Sequence, residues 1–173
     1  MDVEDYEHGL YAALREDPDV ILIGEMRSPE TIETALMAAE TGHLVFSTIH
    51  TNSAVDSIDR IVGVFPENKQ PQIRLQLSMT LRAVLAQQLV PRATGRGRAA
   101  ACELMMITPP IRNLIRDGKT PQMQSYLLSG AKDGSVIMDH FLLELANKGI
   151  IMPETAVEAA DDPGEMSKSL MMF

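Results

Sequence analysis

The sequence contains one cysteine, no tryptophan and few other aromatic residues. A single cysteine, Cys102, excludes an internal disulfide and any zinc site of the C-x-x-C type. The four histidines also lack the spacing of a metal-ligand pair such as H-x-x-x-H. We therefore predict no metal site made from protein ligands alone. The 12 methionines and the hydrophobic content of 45% are typical of a helix-rich α/β core.

Basic residues are in the minority, with 15 Lys and Arg against 24 Asp and Glu and a net charge of −9. This balance gives no support to nucleic-acid binding. No apolar run approaches the ~18 residues that span a bilayer, and the N-terminus lacks the basic-then-apolar pattern of a signal peptide. We therefore expect a cytoplasmic protein with no direct membrane insertion, which meets a membrane only through a partner.

A phosphate-binding loop is also missing, because the motif G-x-x-x-x-G-K-[ST] does not occur. Without that loop, an acidic residue at a strand end cannot bind a nucleoside triphosphate in the manner of P-loop proteins. Two interpretations follow. Either the chain is not a nucleotide enzyme, or it is the C-terminal portion of one.

The first half of the chain alternates predicted helices and strands. The pattern predicts a helix over 6–15, a strand at 20–23 buried on both faces, a helix from Pro29 to Gly42 capped by Ser28, a strand at 44–49 and a helix after an S-x-x-D cap at 53–56. This order implies a parallel sheet covered by helices, with ligands beyond the carboxyl ends of the strands.

The second half changes character near residue 107. The pattern predicts a long helix from Pro71 to Leu89, a hairpin formed by 88–91 and 98–107, short helices after Pro109 and a tail after Asp161 that is expected to fray. We therefore predict two domains, 1–107 and 108–173, of which the second is a small all-helical subdomain.

Two polar side chains follow neighbouring predicted strands. Glu25 comes after VILI and Gly24, and His50 comes after the next strand. Such an acid can orient a water, accept a proton or hold a metal through water, although it can equally cap a helix or form an ion pair. Hydroxyl and amide groups at the same edge come from Thr48, Thr51 and Asn52. These groups can contact phosphate or water.

Other candidate residues have ordinary structural alternatives. His43 begins its strand, so we expect it at the opposite edge, in a structural role. Arg27 could meet an anionic ligand or a neighbouring subunit, or pair with Glu30 or Glu33. The amphipathic segment 111–116 could be a packed helix or a docking surface.

Three blocks taken together, VILIGEMR, GHLVFSTIHT and PIRNLIRD, resemble the second half of the motor core in type II/IV secretion ATPases, and within that family its PilT-type branch, which retracts type IV pili. The resemblance runs from about Tyr6 to about Ala160. In it, Glu25 matches the Walker B glutamate, and His43 and His50 match the two histidines of the histidine box. PIRNLIR resembles the retraction signature AIRNLIR, with Pro110 in place of its alanine.

The resemblance implies a fold, a site and partners. Residues 1–107 would be the C-terminal part of a RecA-like P-loop ATPase core. Glu25 would polarise water or hold Mg²⁺ through water, and His50 would sense the γ-phosphate of ATP. The resemblance implies nucleotide-binding positions at Gly24, Arg27, His43, Thr48 and Thr51. It implies contact with partners through Ile111, Arg112, Asn113, Leu114, Ile115 and Arg116.

The family is a hexameric ring that acts on an inner-membrane platform protein, PilC-like in pilus systems, from the cytoplasmic face. Its Walker A loop and aspartate box precede the matched region, so we expect this chain alone not to hydrolyse ATP. Assembly-type and type II secretion members usually carry a tetracysteine element, which Cys102 alone cannot supply, and this favours retraction. The alternatives are a type II secretion or pilus-assembly fragment, a non-catalytic ring-interaction module, and an unrelated α/β hydrolytic enzyme using Glu25 and His50.

Overall fold

The structure is a computed structural model that describes residue 9, residues 12–129 and residues 133–171. The chain divides into two compact units. The first comprises Met1–Thr51, Asp56–Arg82 and Pro109–Thr120, and the second comprises Asn52–Val55, Ala83–Thr108 and Pro121–Phe173. Of the helix predicted over 6–15, residues 6–8, 10 and 11 lie outside the described residues, and residues 9 and 12–14 are helical.

The first unit contains a parallel pair of strands, β1 (Val20–Ile23) and β2 (Leu44–Ser47). Ile21 and Ile23 are buried against Ala35 and Ala38, whereas the alternate residues are exposed. The prediction that β1 is buried on both faces is therefore wrong. Side chains alternate along a strand, and in this chain only the face toward the helix is covered.

The helix between these strands, α1 (Pro29–Glu40), begins and ends as its sequence predicts. The Ser28 hydroxyl accepts a hydrogen bond from the Thr31 backbone N–H at 3.3 Å, and Pro29 occupies the first turn, where a missing N–H costs nothing. The helix ends at Glu40 and is followed by the C-cap Thr41 and by Gly42, which has φ 104°. A positive φ is easiest for glycine, which explains the stop.

Three further helices belong wholly or largely to the first unit: α2 (Ala54–Gly63), α3 (Gln70–Thr80) and α4 (Pro109–Arg116). α3 packs against α1 and α4 and buries Ile73 and Leu77. The prediction of one helix from Pro71 to Leu89 is wrong, because Leu81 is extended at ψ 136° and a strand follows. Leucines and valines keep a helical spacing past residue 80, but these residues form a strand that pairs with the next one.

The second unit is built on an antiparallel hairpin of β3 (Ala83–Pro91) and β4 (Arg98–Met106), paired from Ala83↔Met106 to Pro91↔Arg98. The predicted hairpin is confirmed, although β3 is longer than expected. Gly95 and Gly97 turn the chain with φ values of 71° and 76°. Leu104 also exchanges two backbone hydrogen bonds of 2.8 Å with Val136.

Four helices complete the second unit: α5 (Thr120–Ser129), α6 (Met138–Asn147), α7 (Pro153–Ala159) and α8 (Pro163–Met171). α6 packs on β4, and α7 and α8 pack on α6 around the fully buried Leu142. The tail expected to fray after Asp161 therefore includes a helix. Asp162 starts α8 by accepting the Glu165 backbone N–H at 2.9 Å, and Met166 is buried.

The compact units do not coincide with the predicted domains 1–107 and 108–173, because the hairpin lies with the C-terminal helices. The assignment of a RecA-like part and a helical subdomain stays a prediction. Within the described residues, no helix combines the length and the apolar character needed to cross a membrane.

Candidate active site at the carboxyl ends of the parallel strands

The segments that follow β1 and β2 are tied to each other. The Met26 N–H donates to the Thr48 carbonyl at 3.0 Å, and the Thr48 hydroxyl donates to the Gly24 carbonyl at 2.5 Å. Gly24 and Thr48 each follow their strand directly. The parallel register therefore continues past the strand ends and holds the residues that follow side by side.

Glu25 and His50 meet at this edge. Nε2 of His50 lies 3.1 Å from Oε1 of Glu25, and the second carboxylate oxygen lies 2.6 Å from both Nε and Nη2 of Arg27. The side chain of Glu25 is 23% exposed, whereas those of Arg27 and His50 are 78% and 85% exposed. The edge is thus open to solvent, with the carboxylate held between a guanidinium and an imidazole.

The electrostatics of the edge favour an ionised Glu25. The side-chain hydrogen bond from Arg27 lowers the pKa of Glu25, partial burial opposes it, and the electrostatic interactions with Arg27 and His50 lower the pKa further. A carboxylate in this state can accept hydrogen bonds from a water and orient it. It also provides the oxygen donors that Mg²⁺ prefers.

Arg27 forms an ion pair with Glu25, a partner that the sequence did not suggest. Glu33, one of the two partners suggested by the sequence, pairs with Lys69 at 2.9 Å. The alternative of an ion-paired Glu25 is thus part of the geometry. An ion pair and a catalytic carboxylate are compatible, because an exposed arginine can leave a carboxylate at small cost.

His43 lies at the other end of β2, as expected from its position before the strand. Its Nδ1 is 2.9 Å from the Ala38 carbonyl and 3.1 Å from the Thr41 hydroxyl. A strand of four residues separates it from the His50 edge, about 13 Å at the usual rise. The structure does not bring His43 to Glu25, and its role in nucleotide binding stays a prediction.

The segment after His50 is held at two points. The Thr51 hydroxyl lies 2.7 Å from that of Ser57 in α2. Glu103, a buried residue of β4, accepts the Ala54 backbone N–H at 2.7 Å. Sequence analysis missed Glu103. The signal was present, because Glu103 shares its strand parity with Ala99, Ala101 and Met105, all of which are buried.

The PIRNLIR segment forms α4, and its two isoleucines belong to the core. Ile111 and Ile115 are fully buried, Arg112 and Leu114 are half-buried, and Asn113 and Arg116 are exposed. α4 packs against α3 within the first unit. The interpretation as a packed helix is confirmed for the inner face, and the docking surface stays a prediction that now concerns only the outer residues.

A polar network fixes the end of α4. The helix ends at Arg116, two residues before Gly118 with φ 67°, and the Lys119 N–H returns to the Leu114 carbonyl at 2.9 Å. Beyond it, the Thr120 hydroxyl donates to Asp59 at 2.8 Å, and Arg74 pairs with the same carboxylate at 3.3 Å. These contacts join α2, α3 and Thr120, the residue at which α5 begins.

Known relatives of this chain identify the class of protein to which it belongs. Residues 3–155 match the family described as "Type II/IV secretion system protein", and the chain belongs to that family. It is 50% identical over 158 residues to the "Type IV pilus retractation ATPase PilT" of Pseudomonas aeruginosa, covering 91% of this chain and 46% of that protein. It is 48% identical over 162 residues to the "Twitching motility protein" of Neisseria gonorrhoeae, covering 94% and 43%.

Solved structures give the same result for the fold. The pilus retraction motor PilT with bound ADP matches with a TM-score of 0.85 and 48% identity, over 96% of this chain and 47% of that one. The Legionella pneumophila ATPase DotB matches with a TM-score of 0.77 and 28% identity, over 89% and 42%. The predicted fold class, part of a RecA-like ATPase core, is confirmed. The chain spans less than half the length of these relatives.

Proposed function

We propose that this chain is the C-terminal motor part of a PilT-like ATPase that couples ATP hydrolysis to type IV pilus retraction. The observation that carries the proposal is the contact of Glu25 with His50 beyond the carboxyl ends of two adjacent parallel strands. The relatives support the retraction branch, since the type II secretion protein E of Pseudomonas aeruginosa is matched over only 60% of this chain.

In this proposal Glu25 orients the attacking water. Its carboxylate is ionised and acts as a hydrogen-bond acceptor, and the open edge leaves room for a water beside it. His50 touches the same carboxylate, and its role in the proposal is to sense the γ-phosphate of ATP. Arg27 is exposed enough to leave Glu25 for the phosphates of ATP.

Bound Mg²⁺ would neutralise charge on the phosphates as the bond to the leaving group breaks. The residues fit an ion held mainly through water, because Glu25, Thr48 and Thr51 supply hard oxygen donors. Among the described residues, no group of three or more His, Cys, Asp or Glu side chains could hold a metal ion directly. Because Gly24 has no side chain, the ligand could approach its backbone closely.

The proposed assembly is a homo-hexamer at the cytoplasmic face of the inner membrane, acting on a PilC-like platform protein. The outer face of α4, with Arg112, Asn113 and Arg116, is the proposed contact surface. No nucleic acid is involved, since the net charge is −9. The 173-residue chain alone is expected to release no phosphate from ATP, because it lacks a phosphate-binding loop.

The test uses a chimera in which this chain replaces the matching part of the Pseudomonas aeruginosa relative. The chimera should hydrolyse ATP, and Glu25→Gln should lower kcat at least about 100-fold. Nucleotide affinity should stay within about threefold, because the amide keeps the size of the side chain. Glu33→Gln, which breaks the Lys69 pair in the same unit, is the matched control and should leave kcat within about twofold.

Near-normal turnover of Glu25→Gln would remove Glu25 from the catalytic role. A chimera that assembles with intact subunits but hydrolyses nothing would favour the ring-interaction module instead. Phosphate release by the 173-residue chain itself would contradict the proposal that it is one part of a larger motor.

A further inference from the structure

Glu103 is a buried carboxylate that the proposed reaction does not use. It lies on β4 with 1% exposure, between the fully buried Ala101 and Met105 on the same strand face. Burying a charged group is costly unless hydrogen bonds compensate. A hydrophobic residue would serve the core better at this position, so the carboxylate has another task.

That task is at the start of α2. Oε1 of Glu103 accepts the backbone N–H of Ala54 at 2.7 Å, and Ala54 is itself fully buried. The first N–H groups of a helix have no partner within the helix, and a negative charge there also meets the positive end of the helix dipole. Glu103 thus fixes a helix start that lies 49 residues away in the sequence.

The helix start follows closely on the candidate active site. Ala54 comes four residues after His50, and Thr51 is hydrogen-bonded at 2.7 Å to Ser57 in the first turns of α2. Three residues between His50 and a fixed Ala54 leave little freedom. Residues 52–55 also belong to the compact unit of β4, whereas the residues on either side belong to the other unit.

We infer that Glu103 is a positioning residue for His50, an inference that rests on the function proposed above. By holding Ala54, the carboxylate restricts where the segment 51–53 can place the imidazole. In this position the imidazole lies 3.1 Å from the carboxylate of Glu25. In this inference Glu103 acts through the backbone at the start of α2.

The first test is amide hydrogen exchange measured by NMR on the 173-residue chain. In Glu103→Ala, exchange of the Ala54 N–H should rise at least about tenfold beyond any change at the other amides of the second unit. The amide resonances of His50 and Thr51 should shift. Glu103→Gln should keep Ala54 protection within about threefold, because its amide oxygen still accepts the hydrogen bond.

Met105→Ala is the matched control, since Met105 is buried on the same face of the same strand. It should raise the exchange rates of the core amides by similar factors, with no larger increase at Ala54. If Glu103→Ala does not fold, Glu103→Asp replaces it, because aspartate keeps the charge but withdraws the acceptor by one methylene. The inference is overturned if Ala54 exchanges no faster than the other core amides, or if His50 and Thr51 keep their resonances.

The second test measures kinetics in the chimera described above. Glu103→Ala and Glu103→Asp should lower kcat about tenfold with KM for ATP within about twofold, because misplacement affects the chemical step. Glu103→Gln should restore kcat, and Met105→Ala should leave it nearly unchanged. Normal kcat in Glu103→Ala would overturn this inference and leave the proposed function untouched. An inactive parent chimera would contradict the proposed function, while the exchange data would still decide the role of Glu103.

Discussion

The two sheets of this chain differ in length, direction and support. The parallel pair β1–β2 has four residues in each strand, and its outer face leaves Val20, Leu22, Leu44 and Phe46 exposed by 54%, 77%, 47% and 55%. The hairpin β3–β4 has nine residues in each strand, and α6 covers its inner face. The candidate active site lies on the shorter sheet. The candidate residues thus follow the strands with fewer backbone hydrogen bonds, while the longer sheet packs against the larger apolar cluster.

The largest effect is expected from a substitution in the apolar cluster that supports the hairpin. Leu142 of α6 is fully buried in the apolar cluster that includes Val90, Ala99 and Ala101. Leu142→Ala should lower the free energy of unfolding by about 2–5 kcal/mol, because it removes transfer free energy and leaves a cavity. Urea denaturation followed by circular dichroism measures the change.

Leu22→Ala is the control on the parallel pair, since it removes the same atoms from a side chain that is 77% exposed. Its unfolding free energy should stay within about 0.5 kcal/mol of the parent chain. Equal losses in the two variants would show that the outer face of β1 is covered in solution, and the contrast between the sheets would fail.

Local signals in the sequence predicted the parts of the fold that depend on a few neighbouring residues. Ser28 and Pro29 mark the start of α1, and the order of strand and helix predicts that Glu25 and His50 share an edge. The end of α3 was not predictable in this way. Leu81, Val84 and Leu85 keep a helical spacing, and only pairing with β4 makes their segment a strand.

Burial was harder to predict than secondary structure. A short run of apolar residues such as VILI looks the same whether one face or both faces are covered, so the exposed face of β1 was missed. Glu103 was missed because its task depends on a contact with Ala54, far away in the sequence. The residues of the candidate edge were predictable, whereas the residue that supports the helix after it was not.

A smaller effect is expected from the side-chain link between the parallel strands. The Thr48 hydroxyl donates a hydrogen bond to the Gly24 carbonyl just past the ends of β2 and β1. The hairpin, by contrast, is paired over nine residues of each strand. Thr48→Val keeps the shape of the side chain and removes this bond. It should lower the unfolding free energy by about 0.5–1 kcal/mol, because the link is exposed to water.

Thr80→Val is the matched control, since the Thr80 hydroxyl donates to a carbonyl within its own helix, that of Gln76. The two variants should differ in one respect. Only Thr48→Val should change the NMR resonances of Gly24 and Glu25. Unchanged resonances there would mean that the backbone bond from Met26 to Thr48 is sufficient to align the two strand ends.

The smallest effect concerns the charge at the same edge. The hydrogen bond from Arg27 is the main cause of the lowered pKa of Glu25, and His50 contributes least. Carbon-detected NMR titration should therefore find the Glu25 pKa below its ordinary value. Arg27→Ala should raise it toward that value, His50→Ala should raise it less, and Arg60→Ala, on the exposed side of α2, should leave it unchanged.

The sign of the pH dependence follows from that shift. A carboxylate whose pKa is lowered by folding contributes stability that is present above its ordinary pKa and is lost as the pH falls through the lowered value. The loss should therefore appear only in the acid range, and it should disappear in Glu25→Gln. If His50→Ala moves the titration more than Arg27→Ala, the imidazole is the main partner of Glu25. The carboxylate at the edge of the parallel pair would then be held by His50 and not by Arg27.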